Sequence, residues 1–262
     1  MMTEQHVTRL LGSLSFIIIA VVLLGAEPLP QWPEYHLFAD DRRILGIANM
    51  HNVLSNLGFL VVGAWGLVFM AGQAGLQTTG NLKNCYWVFF SGLILTGLGS
   101  AYFHLHPDNQ TLVWDRLPMT IMFMGFFAAV IGELLGERTA RVLLIPLLLA
   151  GMASVAWWAW TESMGVGDLR PYALVQFLPM LLVLLMLFLS QKPAHFTPYI
   201  AAMIMIYGLA KLCELYDHEI FTTLGWISGH ALKHLFSAVA SAAILMMLYR
   251  RKQEAERSDP TT

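Results

Sequence analysis

Charge is scarce in this sequence. Its 15 Lys and Arg and 17 Asp and Glu make up 12% of 262 residues, where a soluble domain carries about 25%. That shortage excludes a soluble enzyme with a membrane tail attached. The formal net charge of −2 gives no electrostatic basis for a nucleic-acid partner. Cysteine is nearly absent too. Cys85 and Cys213 both fall inside apolar segments, with neither zinc nor redox spacing, and read as buried packing residues. Repeats, low-complexity tracts and long linkers are missing, which argues for one helical membrane domain.

What fills the chain is apolar: 57% of it is hydrophobic. Eight runs approach or exceed the length that crosses about 30 Å of hydrocarbon: Leu10–Ala26, Asn49–Ala71, Cys85–Leu105, Leu112–Leu134, Ala140–Trp160, Leu169–Ser190, Phe196–Tyr216 and Ile227–Tyr249. The expected fold is all-α, a polytopic membrane bundle. The first run has the outline of a signal peptide, with Arg9 before it and Ala26 as a cleavage point. Leu24 is too large for the small-residue rule at such a site, so a retained helix is expected.

Lys and Arg set the expected orientation. With both termini cytoplasmic, Arg9, Lys83, Arg138, Arg141, Lys192, Arg250, Arg251, Lys252 and Arg257 lie inside, against Arg42, Arg43 and Arg170 outside. That follows the positive-inside rule. It leaves His6 and His195 inside and puts His36, His51, His104, His106, His218, His230 and His234 toward the extracytoplasmic face.

Ionisable groups inside spans are costly and point to function. His230 and His234 stand four apart at the start of the last run, on one helical face, with Cβ atoms about 5–6 Å apart. Ser100 and His104 share a face at the end of the third run, before Pro107. Asp115 falls near the start of the fourth. Three neutral imidazoles and a water form a common catalytic zinc shell. A carboxylate nearby can move the water's proton, and a serine can donate to a developing oxyanion. Each residue also has a plainer reading: a packing histidine at the interface, Asp115 paired with Arg116, Ser100 as a small residue at a helix contact. His106 falls in a Pro-Asp loop and reads as a non-ligand.

Taken in order, Gly-Ser-Ala-Tyr-Phe-His at 99–104, Asp115 and His230-x-x-x-His234 resemble the alkaline ceramidases, members of the CREST superfamily of seven-helix membrane hydrolases. Asn52-Val53-Leu54-Ser55-Asn56 is similar to the opening of that family's first helix. The resemblance spans roughly 30–250. It implies a tail and an extra transmembrane helix over 1–30, a seven-helix hydrolase core over 31–250 and a polar tail over 251–262. It further implies zinc on His104, His230 and His234, with Asp115 and Ser100 beside the water. The implied substrate is a ceramide-like N-acyl lipid drawn from the membrane, cleaved to a fatty acid and a long-chain base.

One stretch departs from the family. Where it carries a calcium site, this chain reads Gln31-Trp32-Pro33-Glu34-Tyr35-His36, and Asn49 replaces the later acid. Asp40 and Asp41 are nearby oxygen donors without an assigned role. Calcium prefers several oxygen ligands, so it is carried over only in weakened form. Elsewhere, Lys211 and Glu214 are spaced to pair, with Asp217 and His218 just beyond. Asn49, Asn52 and Asn56 follow helical spacing suited to interhelical hydrogen bonds. The residues leave other classes open: Ser100 as a nucleophile, a haem-binding carrier, or a receptor or transporter stapled by its metal.

Overall fold

A computed structural model describes residues 3–189 and 196–258. Among these the fold is all-α, and eight helical stretches are long and apolar enough to cross a membrane. The elements are α1 (Glu4–Gly25), α2 (Met50–Ser55), α3 (Leu57–Ala71), α4 (Gln73–Thr79), α5 (Lys83–Leu105), α6 (Asn109–Leu134), α7 (Glu137–Ser163), α8 (Arg170–Leu189), α9 (Thr197–Leu215), α10 (Asp217–Leu224) and α11 (Gly229–Ser258). Each expected span has its helix. The predicted end of the sixth, Ser190, lies outside the described residues, as do Lys192 and His195.

The bundle is built around α6, which packs against α5, α7 and α8; α5 contacts α3, and α11 contacts α9 and α3. α1 lies at the edge along α8. Pro118, Pro146 and Pro179 sit inside helices, as packed membrane helices allow. The core is aromatic and methionine-rich, with Phe89, Phe90, Phe126 and Met124 buried. Large apolar side chains such as Val61, Val68, Ile145 and Phe188 stand exposed on the flanks. Water would penalise that surface and lipid would not. The chain is a multi-pass helical membrane protein.

Two close approaches position the functional end. Gly99 of α5 faces the Trp114 carbonyl of α6, and a Cβ there would strike that oxygen. Gly229, which opens α11, faces the Cys213 carbonyl of α9 in the same way. At this end Trp32, Trp114, Trp160, Trp226 and Tyr216 are exposed, as in the aromatic belt of a membrane interface.

α1 is held by its exit rather than by its length. Arg170 donates to the Ala26 carbonyl at the end of α1. Asp168 grips the same guanidinium, accepting from Nε at 2.8 Å and Nη2 at 2.9 Å. That hydrogen bonding holds the Asp168 carboxyl at about 2.

Candidate metal centre

α5 ends at Leu105, and the Pro107 turn reverses the chain into α6. Asp108 caps α6: its Oδ1 accepts from the Thr111 amide at 2.7 Å, and Thr111 Oγ1 accepts from the Asp108 amide at 3.1 Å. The Thr111 amide, the largest influence, holds Asp108 below the usual carboxylate range. This reversal brings Ser100 and His104 on the last turns of α5 beside Asp115 on α6.

α11 begins with two caps. Ser228 Oγ accepts from the Ala231 amide at 3.2 Å, which is an N-cap arrangement. Asp217 Oδ1 accepts from the His230 amide at 2.6 Å, and its Oδ2 accepts from Ala39 at 2.9 Å. Asp217 therefore ties the start of α11 to the loop between α1 and α2.

The result is a triangle of three buried imidazoles. Ring centroids are 4.9 Å apart for His104–His230, 5.0 Å for His104–His234 and 4.9 Å for His230–His234. Each offers one nitrogen within 4.8 Å of the other two. Both ring nitrogens of His104 are buried without a hydrogen-bond partner. A fully buried polar group left so is costly, and a shared cation would satisfy one of the two nitrogens. The donor set suits an ion such as zinc. The structure thus brings together the three histidines expected from spacing.

His234 is oriented from behind. Its Nδ1 lies 2.8 Å from Ser55 Oγ, and Ser55 donates its proton to the Asn52 carbonyl at 3.0 Å. With that proton committed, Nδ1–H is the donor and Nε2 keeps its lone pair for a metal, the usual support for a ligating histidine. Asn49, at φ 48°, donates to the His104 carbonyl at 2.8 Å. Asn52 reaches the Asp40 carbonyl at 3.4 Å. Asn56 differs from the expectation: its amide donates back to the Asn52 carbonyl at 2.8 Å rather than to another helix. Phe38, from the loop before α2, covers the triangle, with centroids 4.6 Å from His104 and 4.7 Å from His230.

Ser100 and Asp115 are buried and line one cavity with His234. Its volume is about 880 Å³. It descends past Met122, Phe123, Met180 and Met203 to Ser241. Phe177 of α8 and Leu215 of α9 line it and are also exposed, as are Trp32 and Glu34 of the loop after α1, so it opens both between those helices and beneath that loop. Asp115 does not pair with Arg116. The Arg116 guanidinium lies over Trp158, Tyr172 and Tyr35 at 4.3, 4.9 and 5.3 Å.

Lys211 and Glu214 form the expected ion pair, and Lys233 joins Glu214 at 3.0 Å. Lys233 Nζ also stands 2.9 Å from His230 Nε2, so an ion taking that lone pair displaces the ammonium.

The candidate calcium residues disperse. Gln31 Oε1 accepts from Arg116 at 2.5 Å, and His36 Nε2 pairs with Asn109 at 2.9 Å. Asn49 serves the His104 carbonyl. Asp40 holds Arg42 at 2.7 Å and His51 at 2.8 Å. Burial works to raise the Asp40 carboxyl, but these hydrogen bonds outweigh it and hold it below the usual range. Among the described residues, the histidine triangle is the one cluster of three His, Cys, Asp or Glu groups gathered closely enough to hold a metal. His106 and His218 are exposed and apart from it, and Cys85 and Cys213 are buried free thiols.

Sequence reasoning passed over Phe38 and the roles of Ser55 and Lys233, and it named Asp217 without its contact to the start of α11. Lys233 carried a signal, because a lysine between two histidines in an apolar run is costly. Ser55 lay in a noted motif but without a role. No protein-family model matches the chain, and no curated protein matches it.

Proposed function

We propose that the protein is a zinc-dependent lipid amidase, cleaving the N-acyl bond of a ceramide-like lipid as the alkaline ceramidases do. The observation that carries this reading is the triangle of three buried imidazoles, one of which, His234, lines a largely apolar cavity together with Asp115 and Ser100. A divalent ion on three neutral imidazoles supplies Lewis-acid polarisation of a carbonyl and lowers the pKa of water toward about 7. His104, His230 and His234 would hold it, with Ser55 orienting the imidazole of His234.

The chain's own residues divide the remaining work. The cavity takes the acyl chain against Met122, Phe123 and Met203, so the amide carbon meets the imidazoles at the cavity head. Ser100 donates a hydrogen bond to the carbonyl oxygen as it gains charge. Asp115 accepts a proton from the attacking water and returns one to the leaving nitrogen. Amide and water become carboxylate and amine. None of the three imidazoles hydrogen-bonds Ser100, which favours attack by water over attack by serine. The edge-to-face imidazoles leave no slot for a porphyrin, which disfavours the haem reading. The positive-inside bias puts both termini in the cytoplasm and the site near the extracytoplasmic face.

The test combines metal analysis with turnover. Purified wild type should hold one zinc per chain and release fatty acid from N-acyl sphingosine, detected by mass spectrometry. His104→Ala should lose both. Full turnover by metal-free protein would refute the reading.

A further inference from the structure

One charge in the cavity has no ion-pair partner. Arg116 is 5% exposed and forms no ion pair among the described residues. Its Nη2 donates to Gln31 Oε1, while Nη1 is buried without a hydrogen-bond partner. Three aromatic faces offset part of the desolvation cost. A buried guanidinium with a bare terminal nitrogen still remains costly.

The other carboxylates along the cavity do not answer it. Glu214 is shared between Lys211 and Lys233. Asp115, the neighbour of Arg116 in sequence, is close enough to feel its charge but forms no ion pair or hydrogen bond with it, and Glu34 is exposed at the rim. The rings and Gln31 meanwhile hold the guanidinium in place with one nitrogen free. A planar fork fixed in this way suits a carboxylate or phosphate oxygen.

Position in the chain decides which part of a substrate it meets. Arg116 follows Asp115 directly, and both line the cavity. Under the reading above, Asp115 returns a proton to the leaving nitrogen. A substituent on that nitrogen therefore lies on the α6 side.

We propose that the cavity accepts an N-acyl lipid bearing an anionic group on its amine portion, and that Arg116 holds that group. This rests on the amidase reading for the direction of the substrate. The anion is the carboxylate of an N-acyl amino acid or the phosphate of an N-acylated phosphoamine. Hydrolysis of the first gives a fatty acid and a free amino acid, with one water consumed.

The experiment uses zinc-loaded protein in detergent and three probes of equal acyl length: N-oleoylglycine, N-oleoylethanolamine and O-phosphorylated N-oleoylethanolamine. Binding is followed by tryptophan fluorescence, because Trp158 stacks on Arg116, and turnover by mass spectrometry. Wild type should bind at least one anionic probe about tenfold or more tightly than the neutral one. The preferred anion identifies the source. In Arg116→Gln that preference should collapse, and in Arg116→Lys it should be partly retained. Equal binding of all three probes to wild type would overturn the proposal, as would a preference that survives Arg116→Gln. If Arg116→Gln fails to fold, the wild-type ranking and its weakening in Arg116→Lys decide. Anion preference without turnover would sink the amidase reading and leave this site standing. Turnover without preference would do the reverse.

Discussion

Replacing Ser55 by alanine tests whether the His234 support is what the geometry says it is. The hydroxyl is buried and bridges His234 Nδ1 at 2.8 Å and the Asn52 carbonyl at 3.0 Å. Removing it takes away the acceptor that holds the imidazole with Nε2 free. Loss of such an outer partner costs about 10–100-fold in metal affinity, or about 1.4–2.7 kcal/mol. The Asn52 backbone also lies against the ring and becomes available once the serine proton is gone. The expected loss therefore falls near the lower bound, about tenfold. A competition titration against a chromophoric zinc chelator measures it in detergent-solubilised protein, with His234→Ala marking complete loss of the ligand. An affinity within twofold of wild type would refute the claim that Ser55 orients His234.

Other consequences are open to direct measurement. Gly99→Ala drives a methyl into the Trp114 carbonyl and within 3.2 Å of the Pro118 ring; α5 and α6 must part. The expected cost is about 1–3 kcal/mol, read as a lower Tm in detergent, and an unchanged Tm would contradict the close packing. Asp168→Asn should lower Tm at pH 6 by removing the Arg170 clamp, a contribution of about 1–2 kcal/mol. Because the folded carboxyl sits at about 2, against an ordinary 3.8, this stabilisation is complete above pH 4 and fades as pH falls toward 2. The gap between variant and wild type should narrow over that window; a constant gap would mean that another interaction supplies it.

The spans were legible because each is a run of apolar residues with a length set by the bilayer. Their ends were less so. α1 begins at Glu4 rather than Leu10, since Thr3 caps it and its first turn is polar. α11 continues past Tyr249 to Ser258, where Arg250 and Glu254 pair at 3.1 Å along the helix. Hydropathy registers neither. α10 is amphipathic and only 8 residues long, so it falls below any membrane signal.

The histidine triangle was legible because spacing and depth are local properties of helices. Its supports were not. Ser55 and His234 are 179 residues apart, and Gln31 and Arg116 are 85 apart. Such pairings follow from how the loop before α2 folds over the bundle end, which no periodicity encodes. In that loop Gln31 meets Arg116, a permanent cation, a pairing that the local sequence around either residue does not announce.

Phe38 gives the site a property separate from its affinity. Its ring stands against His104 and His230 and packs edge-on to Phe103 at 6.0 Å. An ion held by the three imidazoles would have that ring against two of its ligands, and the cavity lined by His234 beside the third. Its residence time would then depend on the motion of a phenyl ring, and its occupancy on three nitrogens. Two proteins with the same imidazoles and the same Kd would differ in exchange rate if one lacked the phenyl ring.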